Sequence, residues 1–517
     1  MWRHLIVAFL LLALTACVQQ QTESVAAVCS RPGSGEEPTR LFLQQVSDSG
    51  ALVRWRGESR VLCLGTRADR LDTRIDANEE GGHLEARLTG LKPDTVYHYA
   101  LGDVATAPEM QRFRTAPRRG ELPGDGNTRM LLLGDSGTAA AEMNSGKTRE
   151  ETTAMRVVRG VQKFIAEQGG GEPIELLLQL GDGAYLEGTD EEWEKSFFHI
   201  YPEIMRSASV WTTIGNHEMG RAAVDVCLFM QMPQCADGPM YRMMGGVSES
   251  SDPASYDGDG DGKPDPGGMP YLSIFNLPTR GELGGVASGT EQYYSFDHAN
   301  VHVVSLDSQL SNRDPVQRET MRQWLIRDLS ANRSDWTVVI FHHPPYTKGV
   351  HHDSDQEQAE VDMREIFGPV FEKYGVDVVY GGHAHSYERS WYLRGHQGRS
   401  TSFDAARHAE LNAAGRPAIG QGDEAYRQGD RVVYTVSGSA GQTDRENPCK
   451  PGEHLMCTSE QWLTHPAHRS FEPGAPGYRP HGIARTGAIL LDVDGSKLTS
   501  RFIDPDGEVL DWFVISR

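Results

Sequence analysis

Five buried-type strands in the middle of this chain are each followed by side chains that bind metal ions in proteins. In chain order these side chains are Asp135, Asp182, Asn216, His342 and the pair His383 and His385. A single Gly-Asp after a strand is usually a turn, whereas five such strand ends in one domain are a rare coincidence. A zinc site with one metal needs about four ligands. The larger set therefore predicts two metal ions that share a carboxylate.

The strands that carry these residues alternate with helices, and this alternation predicts an α/β domain. The functional loops of such a domain lie at the carboxyl ends of its strands. Strands are predicted at residues 130–133, 174–180, 301–306, 336–341, 376–380 and 432–436, and helices at residues 148–168, 315–329 and 361–374.

The motifs at these strand ends form an ordered set: GDxG, GDxxY, GNHE, VxxH and GHxH. They run from Gly134 to His385, and the last motif continues through Ser386 to Arg389. Together they resemble the purple acid phosphatase branch of the metallophosphoesterase, or calcineurin-like, superfamily. The resemblance implies an α/β (α+β) four-layer metallophosphoesterase sandwich, preceded by an all-β sandwich of the fibronectin type III kind.

The same resemblance implies which residues hold the two metals. One ion would be bound by Asp135, Asp182, Tyr185 and His385, and the other by Asp182 as the bridge with Asn216, His342 and His383. A tyrosine phenolate is a hard donor that favours a trivalent ion. The family pairs it with a divalent partner, so the expected cofactors are Fe(III) and one of Fe, Zn or Mn.

The resemblance also implies the reaction, in which a metal-bound hydroxide attacks a phosphate monoester in line. His352 would give the leaving alkoxide its proton, His217 would contact the phosphate, and Glu218 would orient that contact. The doublets His342–His343 and His351–His352 leave open a shift of one residue in these assignments. On the assigned register, His343 and His351 are expected to be surface histidines of loops.

Residues ahead of the motifs show the period-two alternation of β-strands. This alternation extends from Thr39 to Thr115, and Leu88–Tyr99 resembles the late strands of a fibronectin type III domain. The expected domains are a tether over 18–37, the β-sandwich over 38–117, and the catalytic domain over 128–515 with an insertion at 221–292 and C-terminal strands at 484–515.

The amino terminus has the pattern of an export signal. Its apolar run, Leu5–Leu14, is shorter than the roughly 20 residues that a membrane span needs. The run ends in Leu14-Thr15-Ala16-Cys17, which resembles a bacterial lipobox and predicts a signal peptide over 1–17 with lipidation of Cys17. Val18 follows in place of an aspartate, which favours the outer membrane of a bacterial envelope. The alternative is cleavage near Ala16 and secretion.

The remaining six cysteines are an even number, which in an exported protein indicates a disulfide framework. Six cysteines allow fifteen connectivities. The pairing with the shortest loops is Cys29–Cys63, Cys227–Cys235 and Cys449–Cys457. Free buried thiols are the alternative.

An acidic loop within the insertion resembles a calcium-binding loop of the EF-hand kind. Its candidate ligands are Asp257, Asp259, Asp261, Lys263 and Asp265. Gly268 stands where such loops carry a bidentate glutamate, and a solvated acidic linker is the alternative. Calcium here would stiffen the insertion and take no part in the chemistry.

The charge of the chain limits its partners. Lys and Arg number 50 against 72 Asp and Glu, a net charge of −22, so a basic nucleic-acid surface is not expected. Membrane contact is expected only through the lipid. The leading hypothesis is an exported acid phosphatase-type phosphomonoesterase. One alternative is a phosphodiesterase or nucleotidase on the same core, and the conformation of the loops 394–429 and 441–480 would decide between these activities. Another alternative is a cell-surface binding protein with secondary hydrolase activity.

Overall fold

The computed structural model describes residue 29 and residues 36–102, 111–171, 173–222, 246–349, 352–443, 463–471 and 478–517. The chain divides into two compact units, residues 1–116 with 202–209, and residues 117–201 with 210–517. No helix in the described ranges is long and apolar enough to cross a membrane. The predicted signal peptide, lipidation at Cys17, and the pairs Cys227–Cys235 and Cys449–Cys457 lie outside the described residues.

The first unit contains two antiparallel four-stranded sheets. One has the order Thr39–Gln44, Gly50–Arg56, His83–Thr89 and Asn78–Glu80, and the other has the order Thr73–Asp76, Val61–Gly65, Val96–Leu101 and Arg112–Arg114. A short helix, Pro202–Met205, also belongs to this unit.

Alternating apolar residues hold these two sheets together. Trp55 and Leu84 from one sheet share a buried core with Leu62, Tyr99 and Phe113 from the other. Such packing of two inner faces defines a β-sandwich. A disulfide joins Cys29 to Cys63, as the short-loop pairing predicts. The predicted all-β sandwich is therefore present, and its assignment to the fibronectin type III kind stays a prediction.

The second unit contains two larger sheets. The strands of the first are, in spatial order, Tyr426–Arg427, Val509–Ser516, Lys497–Ile503, Ala488–Asp494, Asn127–Leu133, Leu176–Gln179 and Ser209–Thr212. Those of the second are Tyr294–His298, Val301–Ser305, Trp336–Ile340, Val378–Gly381, Val433–Ser437, Tyr387–Arg389, Gly482–Ile483 and Tyr478–Arg479. A separate two-stranded ladder pairs Arg221–Ala222 with Gly246–Val247.

Short and long helices connect these strands. In the described part of this unit, the α-helices are Ala139–Asn144, Thr153–Glu167, Asp190–Trp193, Pro270–Ile274, Pro315–Ala331, Gln358–Asp362, Gly368–Tyr374 and Ala405–His408. A π-helical turn, Met363–Phe367, joins two of them, so the predicted helix at 361–374 is one interrupted segment. The predicted helix at 148–168 begins instead with a 3₁₀ turn, Arg149–Glu151.

The two sheets face each other, with helices on their outer sides. Across the inner faces, the Tyr380 hydroxyl donates to Ser500 Oγ at 2.9 Å. On the outer face of the second sheet, Trp324 and Phe371 from two helices pack with Val339 and Val379. The layers are thus helix, sheet, sheet and helix, as the predicted four-layer sandwich requires. The parallel strands place their carboxyl ends at one edge.

Candidate metal centre

The structure brings all seven predicted metal ligands together at this edge. A first cluster surrounds the hydroxyl oxygen of Tyr185. Asp135 Oδ1 lies 2.9 Å from it, Asp182 Oδ2 lies 3.0 Å away, and His385 Nε2 lies 3.3 Å away. These are the four residues that the resemblance assigns to the first ion.

A second cluster surrounds Nε2 of His342. Asn216 Oδ1 lies 2.9 Å from this nitrogen, His383 Nδ1 lies 3.2 Å away, and Asp182 Oδ2 lies 3.3 Å away. Oδ2 of Asp182 therefore belongs to both clusters. This is the position expected of a bridging carboxylate.

The contacts behind the two histidines of the second cluster orient their other ring nitrogens into the cluster. Nδ1 of His342 faces the carbonyl oxygen of Leu180 at 2.9 Å, and Nε2 of His383 faces Glu357 Oε2 at 3.0 Å. Metal-binding histidines are held in this way by a carbonyl or carboxylate. Burial alone would lower the pKa of His342, and the charge and hydrogen bond of Asp182 outweigh it and raise the pKa to about 10, so the cluster favours a positive charge at this point. A metal ion would supply that charge in place of the proton.

The electrostatics of the first cluster lead to the same conclusion. Burial, together with the charges of Asp135 and Asp182, raises the pKa of the Tyr185 phenol well above its usual range. Burial also raises the pKa of Asp135 to about 6, and the charge of Asp182 adds to this rise. A bound cation would reverse these shifts, because it stabilises carboxylates and a phenolate at the same point. The residues present fit a metal ion.

The tight turns at the strand ends explain the motif glycines. Asp135, Asp182 and His383 have positive φ angles of 54°, 55° and 69°, a conformation that non-glycine residues adopt mainly where the surroundings enforce it. A Cβ at Gly382 would lie 2.4 Å from Asp135 Oδ2, and one at Gly215 would lie 2.2 Å from Asp182 Oδ1. Only glycine leaves room for the carboxylates at these points.

Glu218 lies behind the turns that carry the metal ligands. It is fully buried, and its carboxylate accepts backbone N–H groups of Asp182, Gly183 and Gly215 at 2.9, 2.8 and 2.6 Å. Glu218 therefore fastens two ligand-bearing turns to each other. It is a positioning residue, and its expected part in orienting the phosphate contact of His217 stays a prediction.

His217 lies at the rim of the cluster. Its backbone N–H donates to Asp182 Oδ1 at 2.9 Å, and its Nδ1 contacts the carbonyl oxygen of Leu186 at 2.7 Å. Its ring packs against Tyr185 with a centroid distance of 4.3 Å. A cavity of about 670 Å³ opens here, and Tyr185, His217 and His385 line it.

His352 is joined to the cluster by a residue that the motifs do not reveal. Glu357 contacts His352 Nδ1 through Oε1 and His383 Nε2 through Oε2, both at 3.0 Å. The His352 and His383 rings contact each other with centroids 3.7 Å apart and planes tilted by 41°. Glu357 thus fixes one predicted metal ligand and the predicted proton donor together. Its sequence signal is weak, since it is one of several acidic residues after His352.

The register of the first histidine doublet follows from its contacts. His342 enters the cluster, whereas Nδ1 of its neighbour His343 contacts Ser308 Oγ at 2.9 Å. His343 is 2% exposed, so the expectation of a surface loop histidine is wrong for it. Consecutive residues of an extended segment point to opposite sides, and the other side here is protein interior. His351 lies outside the described residues.

Part of the predicted calcium loop is assembled. Asp257, Asp259 and Asp265 offer ligand atoms within 4.8 Å of one another. Asp261 pairs instead with the Lys263 ammonium at 3.0 Å. Calcium binding by this loop stays a prediction.

Comparison with known proteins identifies the family. The family model described as calcineurin-like phosphoesterase matches residues 129–387, half of the 517 residues. The chain belongs to the calcineurin-like phosphoesterase family. The matched range contains all seven residues of the two phosphoesterase clusters.

Individual phosphoesterases of this family are similar to the chain. Purple acid phosphatase 1 of Ipomoea batatas is 36% identical over 126 residues, which are 24% of this chain and 25% of that protein. Probable purple acid phosphatase 20 of Arabidopsis thaliana is 23% identical over 302 residues, 58% of this chain and 53% of that protein. The chain thus spans about half or less of these two relatives.

A solved structure shows the same phosphoesterase fold. Purple acid phosphatase PPD1 from yellow lupin (Lupinus luteus) seeds superposes with a TM-score of 0.59 at 17% identity, covering 93% of this chain and 74% of that one. With the family match and the curated relatives, this confirms the predicted resemblance to the purple acid phosphatase branch.

Proposed function

We propose that this protein is an exported, dinuclear metal-dependent phosphatase that hydrolyses phosphate monoesters. The observation that carries the proposal is the pair of four-donor clusters that share Oδ2 of Asp182. Two cations held there would neutralise the charge of a phosphate ester and lower the pKa of a water molecule. The phenol of Tyr185 supports iron(III), with Fe, Zn or Mn as the divalent partner.

Two histidines at the rim complete the proposed site. The ring of His217 lines the cavity, and its backbone is tied to Asp182, so it is held where the phosphate would bind. His352 contacts Glu357 through Nδ1, which leaves Nε2 as the atom that can give a proton to the leaving alkoxide. These residues bind the ester and supply the proton that its departure requires.

The disulfide supports one of the finer parts of the proposal, and the cavity of about 670 Å³ beside the donor atoms has room for the alcohol of a phosphate ester. The Cys29–Cys63 disulfide supports export, because such bonds persist in oxidising compartments. Lipid attachment at Cys17 is the predicted route to an envelope location.

Substitution of the shared carboxylate tests the proposal. Asp182→Asn should release metal and lower p-nitrophenyl phosphate hydrolysis by at least the roughly 10²–10³-fold that loss of one electrostatic contact costs. Elemental analysis, the visible spectrum and initial rates are measured on the purified full chain. The matched control is Asp423→Asn, which neutralises an exposed aspartate and should change neither metal content nor rate.

Three results would contradict the proposal. They are a folded wild-type protein that is colourless and free of metal, an Asp182→Asn variant with the wild-type rate, and faster hydrolysis of bis(p-nitrophenyl) phosphate than of the monoester. The third result would agree with the proposed metal centre, but the proposed substrates would then be phosphate diesters and not monoesters.

A further inference from the structure

The cavity beside the metal cluster has walls whose hydroxyl groups offer acceptors. Away from its metal-binding side, the residues with polar side chains in its lining are Thr138, Glu142, Ser145, Thr153, Gln442, Thr443 and Thr486, and the apolar side chain of Leu186 lies beside them. Five of the seven polar side chains carry a hydroxyl group, one carries a carboxylate and one carries an amide. What these groups offer a leaving group depends on where their protons already point.

The hydroxyl groups of Thr138, Ser145 and Thr153, which form one wall of the cavity with Glu142, donate their protons to protein acceptors. Thr138 Oγ1 donates to the carbonyl oxygen of Gly441 at 2.8 Å, and Ser145 Oγ donates to that of Glu142 at 2.7 Å. Thr153 Oγ1 donates to Glu142 Oε1, also at 2.7 Å. A hydroxyl has one proton and two lone pairs, so each of these oxygens can only accept from a ligand.

The neighbouring backbone donors are committed as well. The N–H of Thr153 donates to Glu142 Oε2 at 2.7 Å, and that of Ser145 donates to the carbonyl oxygen of Ala141 at 3.0 Å. The N–H of Gly441 donates to the carbonyl oxygen of Asp135 at 3.2 Å. The wall formed by Thr138, Glu142, Ser145 and Thr153 therefore presents hydroxyl and carboxylate lone pairs, whereas Gln442, elsewhere in the lining, carries amide N–H groups.

The charge of the wall is not positive. Among the described residues that line the cavity there is neither a lysine nor an arginine, and Glu142 is its one carboxylate away from the metal cluster. Lys147 pairs with Glu142 Oε1 at 2.9 Å without lining the cavity. A second anionic group of a substrate that reaches this wall would thus face lone pairs and no lysine or arginine of the lining, and burying an unpaired charge is unfavourable.

We propose that the substrates are phosphate monoesters of small alcohols that carry their own hydrogen-bond donors, hydroxyl or ammonium groups, and no second anionic group. The donors of the alcohol pair with Glu142 and with the oxygens of Thr138, Ser145 and Thr153. Leu186, whose side chain is exposed, covers the carbon chain. The inference rests on the proposed function, since the phosphate must be held at the metal cluster.

Binding of three phosphonates that cannot be hydrolysed tests the inference apart from turnover. The metal-loaded full chain is titrated calorimetrically with 3-aminopropylphosphonate, butylphosphonate and 4-phosphonobutanoate, which place an ammonium, a methyl and a carboxylate group at the same distance from phosphorus. The ammonium compound should bind roughly tenfold more tightly than the methyl compound, the usual effect of a hydrogen bond to a charged group. The carboxylate compound should bind most weakly.

Equal affinities, or tightest binding of the carboxylate compound, would overturn the inference. So would binding of orthophosphate without binding of any of the three, because no leaving-group site would then exist. The proposed function fails differently, by absence of p-nitrophenyl phosphate hydrolysis. Hydrolysis with three equal affinities would therefore reject the substrate class alone.

Two variants assign the preference to the wall. Glu142→Gln should reduce the ammonium-to-methyl affinity ratio roughly tenfold. The matched control Glu319→Gln, an exposed carboxylate on the helix Pro315–Ala331, should leave the ratio unchanged. Ser145 is exposed, so Ser145→Ala should leave the fold intact and provides a second test. It should reduce the ammonium-to-methyl affinity ratio, by less than Glu142→Gln does. An unchanged ratio in both wall variants would contradict the assignment.

Discussion

At the residue scale, the contacts of Glu357 give it a role comparable to that of a metal ligand. One carboxylate oxygen holds His383 and the other holds His352, each at 3.0 Å. Partners behind a ligand set its orientation and basicity, and their loss typically costs 10–100-fold in metal affinity or activity. The proposed proton donor and a proposed metal ligand thus depend on one side chain.

Glu357→Gln should therefore lower kcat for an aryl phosphate by roughly 10–100-fold while the protein stays folded. The neutral amide keeps the shape but has one carbonyl oxygen for two imidazoles. Steady-state kinetics and elemental analysis measure the effect. Glu365→Gln, an exposed change in the π-helical turn Met363–Phe367, is the control. Wild-type kcat with full metal content would refute the role.

The metal ligands were predictable and Glu357 was not, for a physical reason. Each ligand directly follows a hydrophobic strand, so the sequence itself shows that Asp135 or His383 lies at a strand end. Glu357 reaches the same point from a loop after Thr347, and the path of a loop depends on tertiary contacts. Glu218 shows a second limit, because the sequence does not show which way a buried carboxylate faces.

At the scale of elements, buried ion pairs join strands and helices that are far apart in the chain. Arg389 follows the last metal motif, and its guanidinium binds both oxygens of Asp511 at 2.6 and 3.1 Å. Tyr387 donates to the same carboxylate at 2.8 Å. The residues that extend the motif therefore fasten its strand to the strand Val509–Ser516. Charged residues normally indicate surface, so this pairing was not predictable.

A second buried group links three elements through His302. Its Nδ1 lies 2.7 Å from Asp297 Oδ1 and its Nε2 lies 2.8 Å from Asp328 Oδ2. Asp297 also pairs with Arg119 at 2.7 Å. Burial alone would lower the pKa of His302, and the hydrogen bonds and charges of the two aspartates outweigh it and raise the pKa to about 9.

This shift predicts a pH-dependent stability. A histidine whose pKa is higher in the folded state stabilises fully below its unfolded value near 6.5. The contribution, on the order of 3 kcal/mol, should decline as pH rises and be lost above about 9. Urea unfolding at pH 6, 8 and 10 measures it, with His302→Asn as reference. A difference between wild type and variant that is constant with pH would contradict this account.

At the scale of the whole molecule, the sequence predicted the two kinds of architecture. Period-two alternation over 39–115 indicated a β-sandwich, and strand–helix alternation indicated the layered domain. What it did not give is the order of strands within each sheet. Neighbours such as Asn127–Leu133 and Ala488–Asp494 are distant in the chain, and nothing local encodes their pairing.

The disulfide gives a prediction for the first unit. It closes a loop of 34 residues, and closing a loop of that length stabilises by about 3–4 kcal/mol in the chain-entropy account. Replacing Cys29 and Cys63 by serine should lower the melting temperature of this unit in scanning calorimetry. A reductant should produce the same shift in the wild type and no further shift of that transition in the variant. An unshifted transition would show that the bond adds nothing.

The sheet order has a consequence for the time at which the metal centre can form. The strand Asn127–Leu133 ends just before Asp135, and its antiparallel neighbour Ala488–Asp494 is synthesised some 350 residues later. At about 5–20 residues per second, roughly 20 to 70 seconds of translation separate them. A nascent chain that carries every ligand still lacks one of the two strands that flank Asn127–Leu133. Ion loading should therefore follow release from the ribosome and, for an exported chain, take place beyond the membrane with the ions available there.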